Sequence, residues 1–179
     1  MPISRRYLHL TRDPSIAPLV ATWPALRVLR GWDGFEVAAR SVIGQQVTVA
    51  RARQLNGILV DRCGSALPGD TGDRLRRTFP TAEHVLDANL SAMGMPGARV
   101  TTLKSIGGAV LAEPRLFDRA SSIDETIARL RAIRGIGDWT AHYIAMRACG
   151  EPDAFPASDV GLLRGAADAT GRRPTPVNC

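Results

Sequence analysis

The amino-acid sequence predicts an all-α fold, organised as a single domain over its 179 residues. Three observations predict it. Apolar residues recur at spacings of three and four, the period of one helix face. Side chains that cap helix N-termini stand immediately before those apolar runs. No stretch alternates apolar and polar residues at period two for long enough to make a strand. A hydrophobic content of 45% is ordinary for a globular chain, and this length can bury one substantial core.

The first element opens at Asp13-Pro14, a capping carboxylate followed by a proline in the first helical turn, and the pattern runs towards Leu29. Gly31 and Asp33 mark a stop and a fresh cap. The run Phe35, Val37, Ala38, Val42, Ile43 then carries a second helix to the glycine joint Gly44-Gln45-Gln46. Thr48 caps the next helix, with Val49, Ala52, Leu55, Leu59 and Val60 on its buried side and Gly64 at its end. Residues 65–80 are rich in Gly, Pro, Asp and Arg and read as an exposed loop. Thr81 and Asn89 cap two short helices ending at Gly94, and Pro96-Gly97 opens a longer one through Val100, Leu103, Ile106, Val110 and Leu111. "SIDE" at 122–125 is a capping box ahead of the apolar stripe Ile127, Leu130, Ile133.

Composition narrows the function class. Against 17 Asp and Glu stand 23 Lys and Arg, a net charge of +6 that favours a polyanionic partner such as nucleic acid. Lys104 is the only lysine. Cys63, Cys149 and Cys179 lie far apart without any CxxC or Cys/His spacing, which argues against a disulfide framework, a zinc site or an iron–sulfur cluster and points to a reducing compartment. No signal-peptide pattern opens the chain, and no apolar run approaches the roughly 20 residues that span a bilayer. The cytoplasm, beside the chromosome, is the expected location, with no membrane partner.

The segment "LRAIRGIGDWTAHYIAMRACG", residues 130–150, breaks an amphipathic pattern and resumes it at once. Gly135 suits the end of one helix, since a residue without Cβ takes positive φ at little cost. Only Gly-Ile-Gly-Asp separates it from a second helix through Trp139, Ala141, Tyr143, Ile144 and Ala148. Such a hairpin leaves the amides of Gly135, Gly137 and the following first turn unpaired, with the positive end of a helix dipole behind them. That makes either an ordinary glycine-capped turn or an anion site for a DNA phosphate.

The pattern Leu130-x-x-Ile133-x-Gly135-Ile136-Gly137-x-Trp139-Thr140-Ala141 resembles the helix-hairpin-helix of DNA glycosylases, specifically the 3-methyladenine DNA glycosylase II group (AlkA-like). Four further segments agree in order: Asp13-Pro14, "WDGFEVAARSVIGQQVTVARA", "LSAMGMPGARVTTLKSI" and "FPASDVGLLRGA". The resemblance runs over roughly residues 12–168. The resemblance implies a two-lobed helical fold with a cleft between the lobes and a hairpin at about 122–150. It implies a monofunctional glycosylase of base excision repair that flips alkylated purines out of duplex DNA, removes them hydrolytically and acts as a monomer.

The site residues follow from the same resemblance. Asp159 matches the catalytic carboxylate, a group that stabilises positive charge developing at C1′ of the sugar; it also suits the cap of a helix from Val160. Trp139 and Tyr143, four apart on one helix face, match the base pocket, although aromatic residues at that spacing are often core. Gln45 and Gln46 match the pocket rim, where they could equally satisfy a broken helix end. DNA contacts fall on Gly135, Gly137 and Thr140, and the residue that fills the gap left by the flipped base falls near Leu67, otherwise an ordinary surface leucine. Arg51, Arg53, Arg74, Arg76, Arg77 and Arg99 are candidate phosphate contacts. The backbone carbonyls of Arg131, Ile133 and Gly135 match a monovalent-cation site (Na+ or K+); no other cofactor is implied.

Where strand-cleaving relatives carry a nucleophilic lysine, this sequence has Trp139. Beyond about residue 168 the resemblance implies a further helix, whereas "TGRRPTPVNC" has two prolines and no apolar stripe and predicts none. A chain shortened there would leave a DNA-binding protein without excision activity, the alternative to an active enzyme.

Overall fold

The computed structural model describes residues 9–24, 26–69 and 76–165. Among them are eight α-helices and no strand beyond an isolated bridge. In chain order these are α1 (Ala17–Thr22), α2 (Gly34–Ile43), α3 (Val49–Cys63), α4 (Ala82–Asp87), α5 (Gly97–Ala112), α6 (Ile123–Arg131), α7 (Asp138–Ile144) and α8 (Val160–Gly165). A π-helical turn, Ala145–Cys149, continues α7. The all-α expectation holds.

Local capping explains most boundaries. Asp33 accepts the Glu36 amide at 2.7 Å, Thr48 the Arg51 amide at 3.2 Å, Thr81 the His84 amide at 3.4 Å and Ser122 the Glu125 amide at 3.2 Å. Each such cap typically contributes about 1 kcal/mol. In the capping box the reciprocal arm of Glu125 reaches the Ser121 amide, at 3.1 Å.

Two expected helices differ. Asp13 does not cap α1, because its carboxylate takes the amide of Ser15 at 2.8 Å and the hydroxyl at 2.6 Å. That side-chain turn displaces the start to Ala17, and Pro24 ends the helix at Thr22 instead of near Leu29, since a residue before proline is driven out of helical geometry. Asn89 likewise binds the amide and hydroxyl of Ser91, at 3.1 and 2.7 Å, and residues 89–94 form turns instead of a helix. Short polar side chains offer the backbone an alternative to helix, and at both places the alternative wins.

Helix α2 is the hub, packing on α3, α5, α7 and the π turn. Its Ala38, Ala39, Val42 and Ile43 are fully buried, and the two alanines admit neighbouring backbones closely. Val85 of α4 meets the α5 face that buries Leu103 and Ile106, while Leu130 of α6 and Ile144 of α7 complete the same core. Burying each such aliphatic side chain stabilises by about 1.5–3 kcal/mol before entropy is counted. Between α3 and α4, Ala66 bridges Arg77, with Leu67 N–H on the Arg76 carbonyl at 3.0 Å. Residues 70–75, with Arg74, lie outside the described residues, as does the segment 166–179 on which the expected end of helical structure falls.

A buried polar network, not foreseen from the sequence, closes the hairpin. Thr126, with no exposed surface, donates to Glu151 Oε1 at 3.1 Å, and its oxygen accepts the Ala120 amide at 3.3 Å. Glu151, only 5% exposed, also meets Arg119 at 3.3 Å. The start of α6 and the end of the π turn are thereby joined. Gly150, at φ 73°, lies against the Arg30 guanidinium, which donates to the Ala148 carbonyl at 3.0 Å. No helix of the described residues is long and apolar enough to cross a membrane.

Candidate active site

The α2–α3 joint, the tip of the α6–α7 hairpin and the start of α8 enclose an open groove of about 990 Å3. Gln45, Gln46, Gly137, Trp139 and Asp159 all line it.

The hairpin tip is built by two glycines with different reasons. Gly135 takes φ 88°, and a Cβ there would collide with Thr102 of α5, so both backbone conformation and packing demand glycine. Gly137, at φ −86° and ψ 177°, could hold any residue, and a Cβ would meet nothing within 4 Å. It is open backbone at the N-cap of α7, and no side chain caps that helix. The amides of Asp138, Trp139 and Thr140 therefore have no intrahelical partner. Asp138 brings a negative charge to the same end, paired at 3.7 Å with Arg131 across the hairpin; both are exposed, so the pair contributes little.

Asp159 caps α8: its Oδ1 accepts the amides of Gly161 and Leu162 at 2.8 and 3.0 Å. Its Oδ2 accepts the indole N–H of Trp139 at 2.9 Å, a link between residues twenty apart that no local pattern announces. The capping and groove-facing positions expected of Asp159 thus coexist.

Trp139 lines the groove, half-buried. Tyr143 does not line it; its ring stacks behind Trp139, with centroids 5.3 Å apart and planes 18° apart, and the Arg147 guanidinium lies 6.0 Å from its centroid. Gln45 donates through Nε2 to the Thr140 hydroxyl at 2.9 Å, and its carbonyl accepts Arg99 at 2.6 Å. Thr140 is 3% exposed, so its hydroxyl serves that internal bond and only its amide stands in the helix's first turn. Gln46 is exposed and holds φ 54°, the only positive φ of a non-glycine residue among those described. Such a conformation in a glutamine stores roughly 1 kcal/mol or more. Leu67 is half-buried in the α3–α4 connection and is not a groove residue.

Several arginines turn inward on their own chain. Arg51 donates to the Gly94 carbonyl at 2.7 Å, Arg77 to that of Gly64 at 2.6 Å and Arg99 to that of Gln45. They close loop carbonyls; Arg77 is nevertheless exposed, as are Arg53 and Arg76. Lys104 donates to the Leu86 carbonyl at 2.8 Å and lines a separate groove between α4 and α5. In the turn of Arg131, Ile133 and Gly135, the Ile133 carbonyl already accepts the Ile136 amide at 3.1 Å. That carbonyl keeps a second lone pair.

Comparison with known proteins places this geometry. No family model matches the sequence. The chain is 35% identical over 153 residues to the probable bifunctional transcriptional activator/DNA repair enzyme AlkA of Mycobacterium tuberculosis, across 86% of this chain and 31% of that one. It is 30% identical over 148 residues to DNA-3-methyladenine glycosylase 2 of Escherichia coli, across 81% of this chain and 51% of the relative. It therefore spans about half or less of the length of these relatives. Its fold superposes on the 3-methyladenine DNA-glycosylase of Archaeoglobus fulgidus with a TM-score of 0.75 at 24% identity, covering 95% of this chain and 59% of the other. Over most of its own length the chain is thus similar to 3-methyladenine DNA glycosylases, and its fold is that of the Archaeoglobus fulgidus enzyme.

Proposed function

We propose that this chain is a monofunctional DNA glycosylase that extrudes an alkylated purine of the 3-methyladenine class from duplex DNA and hydrolyses its bond to the sugar. The observation that carries the reading is the groove in which the Asp159 carboxylate and the Trp139 ring stand together beside an open glycine turn. The names of the relatives support the substrate class, and the groove would be the cleft between two lobes.

The chemistry follows from charge. A purine alkylated on a ring nitrogen is cationic, and its glycosidic bond is correspondingly weak, so little acid catalysis is needed. Stacked on Trp139, such a base gains about 0.5–2 kcal/mol of cation–π attraction. When the C1′–N bond breaks, both its electrons leave with the purine, which departs neutral, and C1′ becomes oxocarbenium-like. A carboxylate held beside it stabilises that charge more than it stabilises the ground state. Water then adds at C1′ and gives up a proton, leaving an abasic site. Asp159 can orient that water.

The amides at Gly137 and the first turn of α7 suit a backbone phosphate. Gln46 suits the gap left in the base stack better than Leu67 does, because it projects from the groove's lip while Leu67 is not part of the groove. Lys104, tied to Leu86 in the other groove, is no candidate for a Schiff base, so the strand should remain uncut. Action as a monomer on chromosomal DNA in the cytoplasm, without a required cofactor, completes the reading.

Duplex DNA treated with a methylating agent tests it. Free 3-methyladenine should appear by chromatography, and strand breaks should appear only after alkali. Retained DNA binding without base release would instead make the chain a binding protein.

A further inference from the structure

Resting on that reading, we infer that Trp139 is the positioning residue of Asp159: its indole N–H, and not the cap of α8, aims the carboxylate into the groove. An ionised carboxylate offers about four acceptor sites. Three are filled within the chain, two on Oδ1 by the amides of Gly161 and Leu162 and one on Oδ2 by Trp139. The remaining site lies on Oδ2, the oxygen that Trp139 holds.

The two sets of bonds differ in what stands behind them. Helix α8 has six residues, none of them buried, and its Val160 and Leu162 are 53% and 43% exposed. A cap bond fixes Asp159 to α8, but it cannot fix α8 to the groove. Helix α7 is anchored in the core through Thr140, Ala141 and Ile144. It grips the segment bearing Asp159 at two points one turn apart, by the Trp139 indole and by His142, whose Nδ1 accepts the Phe155 amide at 3.3 Å. Stacking on Tyr143 sets the plane of the indole and so the direction of its N–H. The geometry thus runs from core to α7, to Tyr143, to Trp139, and only then to the carboxylate.

Replacing Trp139 in the full chain with β-(3-benzothienyl)alanine puts sulfur in place of N–H and keeps the ring's shape and stacking. Single-turnover release of 3-methyladenine should fall by roughly 10- to 100-fold, as misplacing a reacting group does. The Kd for a duplex with an abasic site should change less than threefold. In the wild-type spectrum the Trp139 indole 15N–1H resonance should move on Asp159→Ala. Wild-type release by the sulfur analogue, or an indole resonance indifferent to Asp159→Ala, would overturn the inference. If the unaltered protein releases no base, the proposed function fails, and the indole resonance still decides what holds the carboxylate.

Discussion

The Gln45 amide donates to the Thr140 hydroxyl across 2.9 Å, locking the joint between α2 and α3 to the first turn of α7. Ninety-five residues apart in sequence, these two residues both line the groove at the hairpin. Thr140→Val preserves shape but leaves the half-buried amide without its acceptor. Urea unfolding should show a loss of about 0.5–1.5 kcal/mol. Base release should slow further than that loss explains, because the groove's rim is no longer held.

The two hairpin glycines should separate stability from binding. Gly135→Ala forces a Cβ onto Thr102 at a positive φ and should destabilise by about 1–3 kcal/mol in chemical denaturation. Gly137→Ala meets nothing and should leave stability within about 0.5 kcal/mol. Fluorescence anisotropy should nevertheless show weaker duplex binding for Gly137→Ala, since the methyl stands where a phosphate would approach.

Closure of the hairpin depends on a bond that the groove never touches. Thr126→Val removes the hydroxyl from buried Glu151 and from the Ala120 amide. Thermal or urea unfolding should register a loss of about 1–3 kcal/mol. Duplex affinity, measured well below the new melting point, should be unchanged.

How much of this was legible in the sequence depends on the range of the interaction. Caps such as Asp33, Thr48, Thr81 and Ser122 act within three residues, and the pattern locates them correctly. Asp13 and Asn89 carry the same signal, but a serine two residues on captures each side chain, and composition alone does not rank a cap against such a turn. The glycine hairpin and the Asp159 cap could be read because both are local. The Trp139–Asp159 and Gln45–Thr140 bonds could not, because they exist only once α7 has packed against α2 and the segment before α8 has folded back. The π turn and the placement of Tyr143 behind Trp139, away from the groove, are tertiary outcomes of the same kind.

Burial pushes the Cys149 thiol up to about 11, from an ordinary value of 9.0. Between those values the unfolded chain loses a proton that the folded chain keeps, so stability should fall as pH rises from 9 to 11. The fall attributable to this thiol is at most about 2 kcal/mol. Chemical denaturation at pH 8 and pH 10.5 should show it in the wild type and lose that component in Cys149→Ala. Alkylation of Cys149 by iodoacetamide at pH 8 should require unfolding.

Asp159 carries the central claim, and single-turnover release of 3-methyladenine from methylated duplex by Asp159→Asn tests it most directly. The substitution is nearly isosteric and removes the charge. A drop of about 100-fold or more, with duplex affinity held within a few-fold, is the expected result. Release by Asp159→Asn at the wild-type rate would contradict the account.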